Sequence, residues 1–429
     1  MSESASLNKK SGLEIDGPYG SAGVGGGTGE TKEQPAKMID DNNKVVDVET
    51  PKFPTRLQYK PLSVWLGKRP TAMAIYGAVA GFFLYFSMYA LRKPFKAAKY
   101  EDEGGNDIIW GNTGMSLKTA LVLFQLVGYM SSKWIGIKVT SEAKGKQDIY
   151  LMATIIMAEL SLVLFGLLGS VPDATPFAMF FNGLALGVVW GFVVLYFEGR
   201  GSSDFMLVAL SVSFIVSSGI VKDVALAVLR WDINPYWMPA VVGAFFIPLY
   251  AAMVLALNQL PAPSEEEMLD KADRIVMTHK SRLSYFLKFW PGLICLWVGV
   301  MFLTAYRDYR DSFAVEIFDD MGFEVVPGTL GSTESIVAGV LLIPIAFLVF
   351  CKNNLRAFKL AMLALVVGAI ILIISVSLFM ASPYDGYNYY VITGVASYLA
   401  YVPYNSVLYE RLIAVLHEEC NIAYLMAVM

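Results

Sequence analysis

The sequence predicts an all-α membrane protein that crosses the bilayer about ten times. Of its 429 residues, 56% are hydrophobic and only 16% are charged, and the mean hydropathy is +0.53. A soluble chain could not bury that much apolar surface, whereas a polytopic membrane protein exposes it to lipid. From about residue 71 onward, apolar segments of about 20 residues follow one another, and this is the length that spans a bilayer.

Each predicted span is an apolar segment bounded by polar or charged residues. The spans cover 71–91, 115–135, 149–170, 176–197, 205–229, 236–258, 289–310, 329–351, 357–381 and 387–410, and a further one begins near residue 422. The polar connection at 259–288 separates the first six spans from the others.

Four regions follow from this pattern. Residues 1–60 are rich in glycine and polar residues, so we expect a disordered cytoplasmic tail. Residues 61–258 form an N-terminal six-helix half, 259–288 a cytoplasmic linker, and 289–429 an incomplete C-terminal half. Lysines and arginines concentrate in alternate short loops, which places the N-terminus in the cytoplasm.

Composition excludes several classes of protein. The formal net charge is −4 and the cations are scattered among acidic residues, which argues against a nucleic-acid partner. Cys295, Cys351 and Cys420 are far apart, and the histidines are His279 and His417. The sequence contains no nucleophile–base set, metal cluster or phosphate-binding loop. We therefore predict no catalytic residue, no metal and no cofactor, and we do not expect an enzyme.

A basic stripe ends the first predicted span. Tyr89 and Arg92 are three residues apart and share a helix face, and Lys93 follows directly. This cluster lies on the predicted outer side, where the positive-inside rule does not account for it. One interpretation is a cationic cup for an anion, since guanidinium binds carboxylate and phosphate bidentately. The alternative is snorkelling at a helix end. Lys96 and Lys99 are expected to be solvated.

An internal repeat predicts two like halves. With an offset of 218 residues, Leu91–Phe95 lies over Tyr309–Phe313; with an offset of 213, Val194–Tyr196 lies over Val407–Tyr409. Parallel repeats with a cytoplasmic connection are typical of major facilitator transporters. These offsets predict a second half that runs to about residue 475. The sequence is therefore expected to lack its last one to two helices.

The repeat relates the first basic stripe to a second cluster at the end of the seventh span. Arg307 and Arg310 share a helix face there. Asp311 follows Arg307 by four residues, so an Arg307–Asp311 pair within the helix is an alternative to substrate binding. Asp308 and Glu316 are expected to face solvent near the membrane surface.

Polar residues inside the apolar spans add further candidates. Lys222 lies within the fifth span, where an ionisable residue is by default a functional hypothesis. Its neighbour Asp223 must point to a different side of the helix. Gln125 and Asn182 are more typical of hydrogen bonds between helices than of ligand binding.

Charged residues near the ends of several spans are candidate gating residues. Glu198 and Arg200 follow the fourth span, and Glu410 and Arg411 end the tenth. We expect ion pairs among these four residues to form a cytoplasmic gate. Asp311 is the corresponding candidate on the other side. The alternative for the lysines on neighbouring inner loops is ordinary positive-inside charge.

Five stretches carry a family resemblance: Trp190–Arg200, Ser217–Lys222, Pro261–Glu266, Arg307–Phe313 and Tyr398–Asn405. Over about residues 65–429 the chain resembles the major facilitator superfamily. It is more closely similar to an uncharacterised facilitator-like family of unknown function. This resemblance implies two six-helix pseudo-repeats and a transporter, without an established substrate.

A looser similarity is to organophosphate:phosphate antiporters. Their first helix has a Tyr-x-x-Arg-Lys pattern, which Tyr89, Arg92 and Lys93 match. Their seventh helix contributes a second arginine, for which Arg307 or Arg310 is the candidate. The resemblance implies that the two arginines bind the phosphate of a substrate.

The sequence thus predicts a secondary transporter that moves a small anionic solute, with phosphorylated metabolites as one class, by alternating access. Its partners would be the lipid bilayer, this solute and a coupling ion. The alternative is a non-transporting membrane scaffold or sensor, or a truncated fragment with the same fold. The predicted substrate-binding residues are Arg92, Lys93, Arg307, Arg310, Lys222 and Tyr89.

Overall fold

The computed structural model describes residues 36–39, 45–48 and 57–416, except for 143–144, 199, 264–278, 352, 383–384 and 405–407. Strands β1 (Ala36–Ile39) and β2 (Val45–Val48) form an antiparallel hairpin. This hairpin differs from the disorder expected over residues 1–60, and the three valines of β2 favour a strand. The rest of residues 1–56 lies outside the described residues.

A helix occupies each of the ten predicted spans in the described part of the chain. Seven helical segments are long and apolar enough to cross a membrane, so the protein is a multi-pass membrane protein. The segment predicted from residue 422 lies outside the described residues. The helices are α1 (Lys60–Gly67), α2 (Pro70–Ala90), α3 (Leu117–Glu142), α4 (Gln147–Leu167), α5 (Thr175–Leu186), α6 (Val189–Phe197), α7 (Ser203–Leu229), α8 (Met238–Leu257), α9 (His279–Ser312), α10 (Ala314–Asp320), α11 (Thr329–Phe350), α12 (Asn354–Ala381), α13 (Gly386–Pro403) and α14 (Tyr409–Leu416).

Two spans differ from their predicted form. The fourth span consists of two helices, α5 and α6, because the helix is interrupted at Gly187, a residue type of low helix propensity. The seventh span begins at His279, inside the predicted linker, because residues 281–290 contain no glycine or proline that would end a helix. The centre of the predicted linker lies outside the described residues.

The largest apolar core lies in the first half. One cluster of buried side chains there extends from Leu66 to Leu260, whereas the clusters elsewhere are smaller. Helix α12 leaves large apolar side chains such as Ile373 and Met380 exposed. Such side chains are expected to face lipid in a membrane protein.

Glycines allow α3 and α5 to approach closely. A side chain on Gly128 would overlap the backbone oxygen of Phe180, and one on Gly183 would overlap that of Gln125. Small residues permit such backbone contact between membrane helices. This contact matters for the site described below, because Gln125 and the neighbouring Asn182 hold the turn that presents Arg92.

Replacing Gly183 by alanine is expected to lower the stability of the protein. The added methyl group must push α5 away from α3, and overpacking of this kind costs about 1–3 kcal/mol. Thermal unfolding of the purified protein would show a lower midpoint. Gly339→Ala in α11 is the matched control, because nothing lies within 4 Å of the added methyl group; equal effects of the two changes would contradict this account.

Helix α7 joins the two halves through a pair of adjacent charges. Asp223 accepts hydrogen bonds from the backbone N–H groups of Leu330 (3.1 Å) and Gly331 (2.6 Å), in the first turn of α11. A carboxylate at a helix N-terminus is favourable, because the free N–H groups carry partial positive charge. Lys222 points instead toward α9, where it contacts Asp311. The two side chains thus leave α7 on different sides, as predicted.

Candidate functional site

The end of α2 presents the first basic cluster on an irregular turn. The helix ends at Ala90, and Pro94 then begins a 3₁₀ turn over Pro94–Ala97, since proline cannot continue an α-helix from this position. The carbonyl groups released at Leu91 and Arg92 accept hydrogen bonds from Asn182 (3.1 Å) and Gln125 (2.9 Å).

The two amides also bond to each other across α3 and α5. Gln125 Nε2 lies 2.8 Å from Asn182 Oδ1, and both side chains are buried. They therefore make hydrogen bonds between helices, as the sequence predicts, and fix the position of Arg92.

A cavity lies beside this turn, between the two halves. In this conformation the cavity is small, with a volume of about 20 Å³, which is room for about one water molecule. Its lining residues lie at different points along their helices: Phe214 is the twelfth of the 27 residues of α7, whereas Tyr89 and Arg307 lie near the ends of α2 and α9. The lining residues are Tyr89, Arg92, Lys93, Phe214, Ser218, Arg307, Asp308, Asp311 and Tyr398.

Arg92 is the cation in this cavity without a carboxylate partner among the described residues. Its guanidinium carbon lies 3.9 Å from the centre of the Tyr129 ring and 5.8 Å from that of Tyr89. Its Nε atom is buried and makes no hydrogen bond. The tyrosine rings orient the guanidinium by cation–π contact and leave its polar edges free to bind an anion.

Arg307 lies on the opposite wall, on α9, and is paired. Asp308 Oδ1 accepts hydrogen bonds from its Nη2 (2.7 Å) and Nε (3.2 Å), and Tyr401 packs against its guanidinium at 4.1 Å. The alternative pairing of Arg307 with Asp311 is therefore wrong, because Asp311 is turned toward lysines of the first half. Asp308 is likewise not on the membrane surface but on the cavity wall.

Asp311 joins the halves at the inner end of a series of ion pairs. Its carboxylate bonds Lys93, Ser218 and Lys222, the last at 3.0 Å. Lys222 also donates to the backbone oxygen of Asp311 at 2.8 Å. The pair of Lys93 and Asp311 spans 218 residues, which is the offset of the internal repeat. Equivalent positions of the two repeats thus meet, as expected near a pseudo-two-fold axis.

Lys96 is buried, which corrects the expectation that it is solvated. The 3₁₀ turn begun by Pro94 directs its side chain inward, where it is 5% exposed. Its Nζ donates to Ser312 Oγ at 2.7 Å and lies 3.6 Å from Asp311.

Positive charge exceeds negative charge around the cavity. With each group in its usual ionised state, the cations there outnumber the carboxylates by three. Uncompensated buried charge is unfavourable, so an entering anion would be stabilised. The cations are Arg92, Lys93, Lys96, Lys222 and Arg307, and the carboxylates are Asp308 and Asp311.

Arg310 is turned away from the cavity, although it was predicted to bind substrate. Its guanidinium donates to Glu334 at 2.7 Å and to the backbone oxygen of Tyr390 at 2.9 Å, and the Tyr390 ring covers it at 3.7 Å. Glu334 was not predicted, although it is the one ionisable residue in the sequence of α11. Its place in an apolar helix was the signal that could have found it.

Other lining residues missed by the sequence reasoning also carried a signal. Ser218 and Phe214 precede Lys222 by four and eight residues, so the three share one face of α7. Tyr398 had no comparable signal, because many tyrosines in membrane helices serve only in packing.

Two further ion pairs continue outward from Asp311. Lys118 of α3 pairs with Glu316 of α10, and Lys99 bonds Asp319 at 2.7 Å. In both, the first half supplies the lysine and the second half the carboxylate. We call these ion pairs together the ion-pair ladder. It consists of Asp311 with Lys93, Lys96 and Lys222, Glu316 with Lys118, and Asp319 with Lys99. The ladder closes this end of the bundle, which is the predicted outer end.

The outermost pair of the ladder is expected to contribute little stability. The hydrogen bond between Lys99 and Asp319 raises the pKa of Lys99. The contribution of this lysine to stability is therefore complete at neutral pH and is lost as alkaline pH passes that raised pKa. Both side chains are well exposed, at 35% and 62%, and water screens the attraction. Asp319→Asn should therefore change stability by less than about 1 kcal/mol. Thermal unfolding at low and high salt checks this, and a large loss would contradict it.

The gating residues predicted at the other end are only partly described. Arg200 is fully buried, and it donates to the backbone oxygens of Tyr196 (2.9 Å) and Pro261 (2.5 Å). Arg411 donates to Asn354 Oδ1 at 2.5 Å. Glu198 is half-buried, and the side chain of Glu410 lies outside the described part. A cytoplasmic gate of these four residues stays a prediction.

Solved structures share this arrangement of helices. The crystal structure of the nucleoside transporter NupG matches with a TM-score of 0.51 at 13% identity, and covers 83% of this chain and 85% of that one. The D-xylose-proton symporter matches with a TM-score of 0.50 at 14% identity and the same coverage. The fold is thus of the major facilitator type. No curated protein matches the sequence. Residues 94–429 match the model of a family of unknown function, and the chain belongs to this family, DUF5690.

Proposed function

We propose that this protein is a secondary transporter that moves a small anionic solute by alternating access. The carrying observation is Arg92, a guanidinium without a carboxylate partner in the described residues, in a cavity with excess positive charge. The fold supports transport, because the similar structures named above are those of a nucleoside transporter and a sugar–proton symporter.

The anion would be held between the two halves. Arg92 belongs to the first half and Arg307 to the second, and both line the cavity. Guanidinium groups bind phosphate and carboxylate oxygens through parallel hydrogen bonds. Lys93 adds charge, and the rings of Tyr89 and Tyr398 provide apolar walls. This combination of cations and rings matches the chemistry of a phosphorylated metabolite.

Transport would require the ion-pair ladder to open and close. Access from the ladder end requires the Asp311, Glu316 and Asp319 pairs to separate. An anion shifts the equilibrium between the closed and the open ladder only by binding one of these conformations more tightly than the other. An anion that bridges Arg92 and Arg307 reduces repulsion between the halves, and so favours conformations in which the halves approach around it.

A panel of solutes tests this proposal with the purified full-length chain. Thermal unfolding would be followed with sulfate, inorganic phosphate, a sugar phosphate and a dicarboxylate, and with neutral xylose and a nucleoside. A ligand at about 100 times its dissociation constant stabilises by about 2.7 kcal/mol. We expect stabilisation by sulfate and other anions and not by the neutral solutes. The anion proposal would be refuted if only a neutral solute stabilised the protein, or if no solute in the panel did.

A further inference from the structure

Helix α1 lies directly before the first membrane span, at the end of α2 opposite the ion-pair ladder. It has eight residues, so it is about 12 Å long and too short to cross a bilayer. Pro70 begins α2, the candidate span Pro70–Ala90. A proline disfavours the helical conformation in the residue before it, and Arg69 is accordingly not helical. Helix α1 is therefore a separate element at the edge of the span, on the predicted cytoplasmic side.

Hydrogen bonds hold the segment before α1 against the end of α8. Gln259 lies just beyond that end and its side chain is buried. Its Oε1 accepts from the backbone N–H of Tyr59 at 2.6 Å, and its Nε2 donates to the backbone oxygen of Leu57 at 2.9 Å. In return, Gln58 donates to the backbone oxygen of Leu260 at 3.2 Å. These contacts fix which face of α1 is turned outward.

The two faces of α1 differ in burial and in composition. Leu66 faces the protein and is 1% exposed, whereas Val64 and Trp65 are 57% and 44% exposed. Lys60 and Lys68 are exposed as well, and both share a face with Val64 because they are four residues from it. A helix that presents apolar and basic side chains together at a membrane edge is typical of an interfacial helix.

The cations at this surface have no carboxylate partner in the described part of the chain. Residues 51–100 contain no aspartate or glutamate, and residues 51–69 contain five lysines and arginines. The guanidinium carbon of Arg69 lies 4.7 Å from the centre of the Trp65 ring, so a cation–π contact holds it beside the exposed tryptophan. The positive charge of this surface is thus available to an anionic partner.

We propose that α1 binds anionic phospholipids of the cytoplasmic leaflet. Lys60, Lys68 and Arg69 bind the headgroup phosphate, and Val64 and Trp65 enter the boundary between the headgroups and the acyl chains. Tryptophan is enriched at this depth, and basic clusters next to a span attract acidic lipids. A phospholipid supplies both the negative charge and the apolar partner that this surface requires. The inference does not rest on the proposed transport function.

Quenching of Trp65 fluorescence in vesicles tests this proposal. The full-length chain would be reconstituted into phosphatidylcholine vesicles that contain a minor fraction of phosphatidylglycerol. In parallel samples, an equal amount of one lipid or the other carries bromine on its acyl chains, which quenches tryptophan on contact. The signal of Trp65 is the difference between the wild-type protein and Trp65→Phe. We expect stronger quenching of Trp65 by brominated phosphatidylglycerol than by brominated phosphatidylcholine.

Lys60→Gln combined with Lys68→Gln should remove this preference. Each cation near an acidic surface contributes about fivefold in affinity, so the two together contribute about 25-fold. The matched control is Arg356→Gln with Lys359→Gln, which removes two exposed cations near the start of α12 on the same predicted side. This control should keep the preference.

Native mass spectra of the purified variants supply a second readout, which counts the phosphatidylglycerol molecules retained. We expect about 25-fold weaker retention in the α1 variant and little change in the control. Equal quenching of Trp65 by the two lipids, or no quenching by either, would overturn the proposal. An equal loss of retained phosphatidylglycerol in the two double variants would also overturn it, because it would show a general effect of basic residues on that side.

Discussion

Replacing Asp311 by asparagine is expected to destabilise the closed ladder end by about 3–5 kcal/mol, because it leaves an uncompensated cluster of buried charges. Lys93, Lys96 and Lys222 all lie within 4 Å of this carboxylate and are at most 6% exposed. Without it, three ammonium groups repel one another in a site that water barely reaches. We expect a much lower thermal unfolding midpoint, or a chain that opens at this end.

Second-site changes distinguish this charge effect from a loss of packing. In Asp311→Asn with Lys222→Met, one cation is removed together with the carboxylate, and the stability should partly return. Replacing both members of a buried ion pair by uncharged groups of similar size is often neutral. Asp319→Asn removes an exposed ladder carboxylate and should have a small effect. Equal stability of Asp311→Asn and the wild-type protein would show that the inner pair does not hold the halves together.

Arg92→Ala is expected to weaken anion binding by about 10- to 150-fold, the equivalent of 1.5–3 kcal/mol for hydrogen bonds to a charged group. Its effect on stability should be small, because the guanidinium has no carboxylate partner in the described chain and its removal also relieves repulsion. Titration of the purified protein with the anion that stabilises it most measures this change. Arg92→Lys should give an intermediate loss, since it keeps the charge without the planar fork.

Arg310→Met provides the contrasting case. It leaves Glu334 buried without its ionic partner, which is costly, so we expect a loss of stability. Because Arg310 does not line the cavity, its folded variant should retain most of its anion affinity. The opposite result, with affinity lost in Arg310→Met and kept in Arg92→Ala, would move the binding site to Glu334 and Tyr390.

The sequence predicted the ten spans because each is an apolar segment of the length that crosses a bilayer. It also singled out Lys222, because it lies within a span, and Arg92, Lys93 and Arg307, because the positive-inside rule does not account for cations on the predicted outer side. The structure brings these residues together at one cavity and its closing ion pairs. Helical spacing accounts for Lys222 and Arg307, which lie on α7 and α9, whereas Arg92 and Lys93 lie on the turn after α2.

The sequence could not predict which side chains of other helices contact each of these cations. Arg307 and Arg310 are three residues apart and share a face, yet only Arg307 lines the cavity. Glu334, a residue of α11, determines which arginine lines the cavity, because it accepts a hydrogen bond from the guanidinium of Arg310. The burial of Lys96 depends on the turn that Pro94 begins. Helical spacing does not describe such a turn.

The internal repeat also predicts a contact between the two halves. Its offset of 218 residues placed Lys93 over Asp311, and these two side chains touch in the structure. Positions near a pseudo-two-fold axis face their own counterparts, so opposite charges at equivalent positions are a signal for a contact. This reasoning would have predicted the inner ion pair of the ladder from the sequence.

Uptake into proteoliposomes tests the central claim most directly. The full-length chain would be reconstituted into liposomes that contain the anion that stabilises it most. Entry of the labelled anion would be compared with its entry into liposomes without the protein. We predict saturable uptake by the wild-type protein that is lost in Arg92→Ala. Uptake that is equal in the two proteins would contradict an anion site at Arg92, and a stabilising anion that never enters would contradict transport.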